Sequence, residues 1–215
     1  MQKENKALIL HLPKWYPDEF SYVGNFIKRH IQCLEGLTEN YIIHVVSRID
    51  QKEKFISKQL EDEIPTTRVT YRPAKGFFAV VFNTLRYYKA QRIGYKIFLK
   101  EKGRKPDVVH VHVLVQSALL ALRLSLFSKI PFIVTEHWSI FLKESKKNLS
   151  KPELLLSRLV SKRAKRLLPV SNYLGKALKM QGLKAPQTVV HNVVNTDYFK
   201  PKEVDSMGDD ALSIS

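Results

Sequence analysis

The chain has 215 residues, enough for one substantial core or at most two small ones, and its 44% apolar content with 11 Phe and 9 Tyr excludes a disordered chain. All 36 Lys and Arg precede residue 203 and face 16 acids there, so residues 1–202 carry +20; a surplus of that size implies a polyanionic partner, whether nucleic acid, an anionic membrane surface or a phosphorylated substrate. The single cysteine, Cys33, rules out an intrachain disulfide and a cysteine-based zinc site.

The first element predicted is a strand over residues 7–12, ALILHL, a short continuous apolar run of the kind buried on both faces. It is too short for a signal-peptide core, and no run approaches the ~20 apolar residues of a membrane span, so a cytoplasmic compartment is expected. The loop that follows, HLPKWYPDEFSYVGNF, holds one glycine, Gly24, where a dinucleotide fingerprint needs three; NAD and FAD are not expected. Gly24 at a helix start can still turn amides 24–26 toward an anion, or it simply begins a helix. Trp15 and Tyr16, held between Pro13 and Pro17, form a stiff aromatic rim suited to substrate contact.

A helix follows over 24–37, with Phe26, Ile27, His30, Ile31, Leu34 and Leu37 at helical spacing and Cys33 expected inside as a small hydrophobe. Residues 41–47 are a strand, 48–67 a polar excursion, 68–72 a strand. Residues 77–102 suit one long helix with Val81, Leu85, Tyr88, Tyr95 and Leu99 on one face. Arg86, Lys89, Arg92, Lys96 and Lys100 form an adjoining cationic stripe, a candidate membrane-binding surface or an ordinary solvated face. A second basic tract, residues 143–166, sets nine Lys and Arg against two acids.

Strand 107–113 carries His110 and His112 on one face. As a metal pair they lack a third ligand, so no metal is expected; one is read as buried, and His112, nearer the carboxyl end, as reaching the crevice. Helix 115–128 and strand 131–137 follow, the strand ending on Glu136 and His137 with Trp138 beyond. A histidine there can donate to a phosphate or position a hydroxyl, and Trp138 can stack on a sugar ring; local satisfaction by backbone is the alternative for His137. Helix 152–164, strand 166–171, helix 172–181 with Ser171 as N-cap, and a final strand 187–192 ending on Asn192 complete the chain.

This alternation predicts an α/β fold: a doubly wound, mainly parallel, Rossmann-like sheet of about seven strands. Ligands collect beyond the carboxyl ends of such strands, so the polar strand-end residues are His11, Ser47, His110 or His112, Glu136 and His137, Ser171 and Asn192. No Ser–His–Asp order or G-x-S-x-G elbow supports acyl-transfer hydrolysis.

The stretches KWYPDEFSYVGNFIKRHIQCL, PDVVHVH, PFIVTEHWS, AKRLLPVSNYLGKAL and VVHNVVNTDYFKP, in this order over residues 7–201, resemble the N-terminal half of the GT-B glycosyltransferases of retaining family 4. Asn192, Thr196, Phe199 and Pro201 fit the family phrase Asn-Gly-Val-Asp-Thr-x-x-Phe-x-Pro; Val193 and Asn195 depart from it. The resemblance implies that residues 1–201 form an acceptor-binding domain. Residues 202–215 would then be the start of a linker or a tail, with the donor-binding domain and its Glu-x7-Glu pair absent from this chain and no catalysis by the chain alone. It also implies transfer of a sugar from a nucleotide-diphosphate donor to an acceptor hydroxyl with configuration retained and no metal or other cofactor.

By position His137 matches the family's strand-end histidine, a catalytic candidate, and Gly24 its first-loop glycine. Trp15, His112, Glu136, Trp138, Ser171 and Asn192 are substrate-binding candidates on the same rim. The implied partners are a nucleotide sugar, a glycan or lipid-linked acceptor and the missing donor domain, in surface polysaccharide or glycolipid synthesis; the two basic tracts add the anionic inner face of a membrane, and no nucleic acid is expected. Two alternatives stand beside this: a non-catalytic sugar-binding half of a split enzyme, and a basic nucleic-acid-binding module supported by charge alone.

Overall fold

The computed structural model describes residues 6–17, 21–60, 63–145, 149–194, 196 and 199. Seven strands form one sheet in the order β3-β4-β2-β1-β5-β6-β7. They are β1 Leu8–Pro13, β2 Glu39–Ser47, β3 Phe55–Leu60, β4 Thr66–Tyr71, β5 Val108–His112, β6 Phe132–Glu136 and β7 Arg166–Pro169. All neighbouring pairs are parallel except β3–β4. Five helices cover it: α1 Asn25–Gln32, α2 Ala79–Lys102, α3 Leu119–Ser128, α4 Lys151–Arg163 and α5 Asn172–Met180.

Strand alternation sorts the side chains into two layers. Leu8, Leu10 and Leu12 of β1, Tyr41, Ile43 and Val45 of β2, and Val109 and Val111 of β5 enter the main core with Phe98 of α2. The opposite face carries Ile42 under Ile27 and Ile31 of α1, with Tyr16 and Ile64. On that face β1 and β5 carry histidines: His11 lies opposite His110 in the register, with His112 two residues on.

Helix starts follow their sequence signals. Ser150 and Glu153 make a reciprocal capping box at α4, with Pro152 in its first turn, and the Ser171 hydroxyl accepts from the Leu174 amide at α5. Gly24 opens α1 at φ 93°, a left-handed conformation.

Four expectations differ. The polar excursion 48–67 contains β3, an antiparallel edge strand whose side chains are mostly exposed, so no apolar alternation announced it. The stretch 187–192 is no strand: it hydrogen-bonds along β7 through Leu167 and Pro169 but makes only one bridge, Leu167 to Gln187. Cys33 is exposed, because α1 ends at Gln32 and the position two residues past buried Ile31 turns about 200° away from the sheet. Along α2 the buried residues are Tyr87, Ala90, Gln91, Gly94, Tyr95 and Phe98, whereas Val81 and Leu85 are exposed. Gly94 marks the true contact line, since a Cβ there would lie 2.6 Å from Ile43 Cγ2. Residues 195 and 201 of the closing phrase, and residues 202–215, lie outside the described residues.

Candidate functional site

The carboxyl ends of the strands hold two neighbouring features. The first is built on His137, which follows the last residue of β6. Its Nδ1–H donates to Asn192 Oδ1 at 3.1 Å, and His30 Nε2–H of α1 donates to the same oxygen at 3.2 Å. A carbonyl oxygen only accepts, so both tautomers are set by Asn192. His137 Nε2 is thereby left as a lone pair, and it is buried without a partner. Burial, with the neighbouring His30 adding to it, lowers the His137 pKa to about 4 against the Asn192 bond, so the ring is neutral at pH 7. Phe26 packs on it at 4.7 Å between ring centroids. A neutral imidazole with a fixed, unused acceptor nitrogen is suited to take a hydrogen bond from a hydroxyl, not to grip a phosphate.

Beneath His137 lies a column of buried histidines, His112 stacked at 6.4 Å, then His11 and His110. Tautomers propagate along it. Asn40 Oδ1 takes the Nε2–H of His11 at 3.0 Å, which leaves His11 Nδ1 to accept from His112 Nε2–H at 3.2 Å. His112 Nδ1 then has no partner, and His110 Nε2 pairs with Thr135 Oγ1 at 2.7 Å. Burial holds His11 at about 4, and His110 and His112 well below the usual imidazole value. These three are the one group among the described residues that could hold a metal ion, each with a nitrogen within 4.8 Å of the others'. His11 is thus the third imidazole that sequence spacing did not supply. The donor set has no carboxylate to offset a buried dication, and the rings are already hydrogen-bonded as neutral groups.

The second feature is a cavity of about 400 Å³ between the ends of β1, β2 and β4 and the flank of α2, lined among others by Lys14, Trp15, Ser47, Tyr71 and Tyr87. Lys14 Nζ donates to Gln116 Oε1 at 3.3 Å and sits 5.2 Å from the Tyr87 ring centroid; burial lowers its pKa. Trp15 joins the two features, since it lines the cavity and meets Trp138 edge-on at 5.6 Å.

The structure therefore brings together His137, Asn192, Trp15 and Trp138, with Gly24 at the start of the helix that carries Phe26 and His30. One of the three amides expected to face an anion, that of Asn25, is taken by the Tyr22 carbonyl. Two candidates lie elsewhere. His112 does not reach the crevice; it is fully buried, stacked between the rings of His137 and His11. Glu136 is also fully buried on the other side of the sheet, where its carboxylate accepts from the amides of Leu114, His137 and Trp138 at 2.7–3.0 Å. Burial pushes its pKa up to about 7 against those three donors. It clamps the turn after β5, where Val113 and Val115 have φ of 72° and 76°, a costly conformation for β-branched residues. Ser171 acts as the α5 cap. Sequence placed Phe26 and His30 only among the helically spaced positions of 24–37 and did not single out Asn40 or Lys14; Lys14 had one signal, its place just past a strand end.

A sequence model for "Glycosyltransferase Family 4" matches residues 27–198. No curated protein matches the chain. A solved structure of part of sucrose-phosphate synthase from Thermosynechococcus elongatus superposes with a TM-score of 0.50 at 10% identity, covering 89% of this chain and 90% of that one. A second structure of that synthase gives 0.56 at 10% identity, over 91% of this chain and 50% of that one, so this chain spans about half its length. A UDP-GlcNAc 2-epimerase from Methanocaldococcus jannaschii is 20% identical over 86% of this chain and 45% of that one, with a TM-score of 0.49. At these identities the likeness to solved structures is one of fold.

Proposed function

We propose a function that proceeds from one fact, that this chain belongs to glycosyltransferase family 4. Residues 1–201 serve as the acceptor-binding domain of an enzyme that moves a sugar from a nucleotide-diphosphate donor to an acceptor hydroxyl with retained configuration. A second, donor-binding domain supplies the nucleotide site, and the present chain alone does not turn over. The observation that carries this reading is the partnerless Nε2 of His137 at the carboxyl end of β6, whose neighbour Trp138 meets Trp15 on the cavity wall. The site lacks a hydroxyl donor, which is what a sugar or its acceptor brings.

In this reading His137 Nε2 accepts from a substrate hydroxyl and orients it, while Asn192 and His30 hold the ring. Trp15 and Trp138 wall the site from water. Lys14 and the α1 N-terminus favour negative charge at the cavity. No metal takes part: the His11, His110 and His112 column is a neutral structural network. The acceptor belongs to surface polysaccharide or glycolipid synthesis, and the enzyme works at the inner face of a membrane. Charge supports the membrane location, with Lys89, Arg92, Lys96 and Lys100 all solvent-exposed along α2 and Arg86 half-buried at the head of that stripe. Among the described residues no helix is long and apolar enough to cross a membrane.

The test uses the full-length protein with a panel of nucleotide sugars and a membrane extract as acceptor source. Acceptor-dependent release of nucleoside diphosphate is expected, unchanged by EDTA, from protein that carries no stoichiometric zinc. Release from no donor would overturn the transferase reading; loss of activity in EDTA would overturn its metal-free chemistry.

A further inference from the structure

The start of α2 and the two residues before it carry a dense cluster of exposed apolar side chains. Phe77, Phe78, Val80, Val81, Phe82 and Leu85 are 51–95% exposed within three turns of chain. Single exposed apolar side chains are ordinary, but six together are not. Directly beside them is a cavity of about 610 Å³ lined by Lys52, Lys54, Arg72, Lys75 and Arg86, with Phe82, Pro73 and Ala74. Among the described residues no acid lines it; Glu53, between two of the lysines, lines the neighbouring cavity instead. Arg86 is held in place by donating from Nη1 to the Arg72 carbonyl at 2.6 Å. Asn83 braces the same wall, its Oδ1 accepting from the Ala74 amide at 2.6 Å.

We propose that this pocket binds the phosphate of an anionic membrane lipid, with Phe77, Phe78 and Phe82 entering the acyl boundary of the bilayer beside it. The inference rests on the membrane part of the reading above and makes it specific. Five cations converging on one concave site match a phosphate headgroup, and an apolar ridge on its lip matches what a lipid headgroup is attached to. Free phosphate would explain the cations but not the phenylalanines. The pocket shares its walls with the crevice: Tyr71 and Tyr87 line one, Arg72 and Arg86 the other. A lipid held there presents its headgroup end to the acceptor cavity.

The cationic stripe further along the helix does not have these properties. Lys89 lies over the Phe55 ring at 5.2 Å and Arg92 near Tyr88, while Lys96 and Lys100 stand about 15 Å or more beyond Arg86 along the axis. Docking therefore concentrates at one end of α2.

Co-sedimentation with phosphatidylglycerol/phosphatidylcholine vesicles tests this. A triple variant, Lys52→Ala with Arg72→Ala and Lys75→Ala, is expected to bind about a hundredfold more weakly, at roughly fivefold per cation near an anionic surface. All three are exposed, and an unchanged unfolding midpoint will show that the fold survives. Lys96→Ala with Lys100→Ala should change binding less than about twofold. Phe77→Ser with Phe78→Ser should weaken vesicle binding at least tenfold while leaving the affinity for inorganic phosphate, measured by calorimetry, as in the parent. Vesicle binding by the basic triple variant equal to the parent's would overturn the proposal. So would an equal loss in the Lys96/Lys100 pair, or no effect of the phenylalanine variant, which would leave a free-phosphate site. No sugar donor enters these measurements, so a negative result leaves the transferase reading intact, and failed transfer with intact vesicle binding tells against that reading alone.

Discussion

Acidification from pH 6.5 to 4 is expected to destabilise the domain strongly. His11, His110 and His112 titrate near 6.5 when unfolded, but in the fold burial holds His11 at about 4 and the other two well below their ordinary value. The cause is geometric as well as dielectric. A proton on His11 Nδ1 would break the bond from His112, and one on His112 Nδ1 would meet no acceptor. In this window the unfolded chain binds protons the native one refuses, so stability is complete above about 6.5 and falls as pH drops. A group that refuses its proton across this window is worth at most about 1.4 kcal/mol per pH unit, and all three act in the same direction. Glu136 runs the other way. Its folded pKa of about 7 exceeds the ordinary 4.5, so its contribution is lost as pH rises between those values, offsetting at most about 1.4 kcal/mol per unit. With three groups acting against one, the net effect of acidification is destabilising, and it matters because a typical domain has only ~5–15 kcal/mol to lose. Urea midpoints at pH 7, 6 and 5 should fall steeply. A midpoint constant from 6.5 to 5 would mean that the column is not the neutral network described.

The second large effect is at Gly24. A Cβ there would lie 2.5–2.7 Å from the carbonyl of Trp15 and the nitrogen of Tyr16, backbone atoms that cannot swing aside, and φ is 93°. Gly24→Ala is therefore expected to cost about 3–4 kcal/mol, combining left-handed strain with overpacking, or roughly 10 °C in Tm for a domain of this size. Gly36 provides the control. Its φ of 81° is equally left-handed, but nothing lies within 4 Å of its Cβ position, so Gly36→Ala should cost only about 1–2 kcal/mol. Equal shifts in the two variants would show that the approach of the Trp15 loop to α1 is not tight.

The alternation of apolar runs sufficed to predict the parallel sheet, because strands buried on both faces leave an unbroken signature. It could not reveal β3, whose exposed side chains carry no such mark, nor separate a bonded extended stretch at 187–190 from a strand. The faces of α2 were hidden for a different reason. Apolar residues surround its whole circumference, and its first turns carry a cluster of exposed side chains, Val81 and Leu85 among them, so periodicity had no single answer. At the site, chain position alone placed His137 at a strand end. Asn192 was placed on the same rim as a strand end, but its bonds to His137 and His30 were not legible, because they join segments 55 and 162 residues apart. His11 joined the histidine pair only through the β1–β5 register. Glu136 shows the converse: one residue from His137, it points to the opposite side, as adjacent strand residues must.

The central claim is that transfer chemistry is organised by His137, and its most direct test is kcat/KM of the full-length enzyme carrying His137→Ala, measured at pH 7 beside the parent. The ring is half-buried at the sheet edge, so the Tm should move little. The account predicts a fall of about a hundredfold or more, the scale on which a positioned acid–base or orienting group acts. It also predicts no break in the parent's rate between pH 6 and 7 that vanishes in the variant, because His137 stays neutral down to about pH 4. A variant with the parent's kcat/KM would contradict the account and reduce His137 to a strand-end residue satisfied by Asn192.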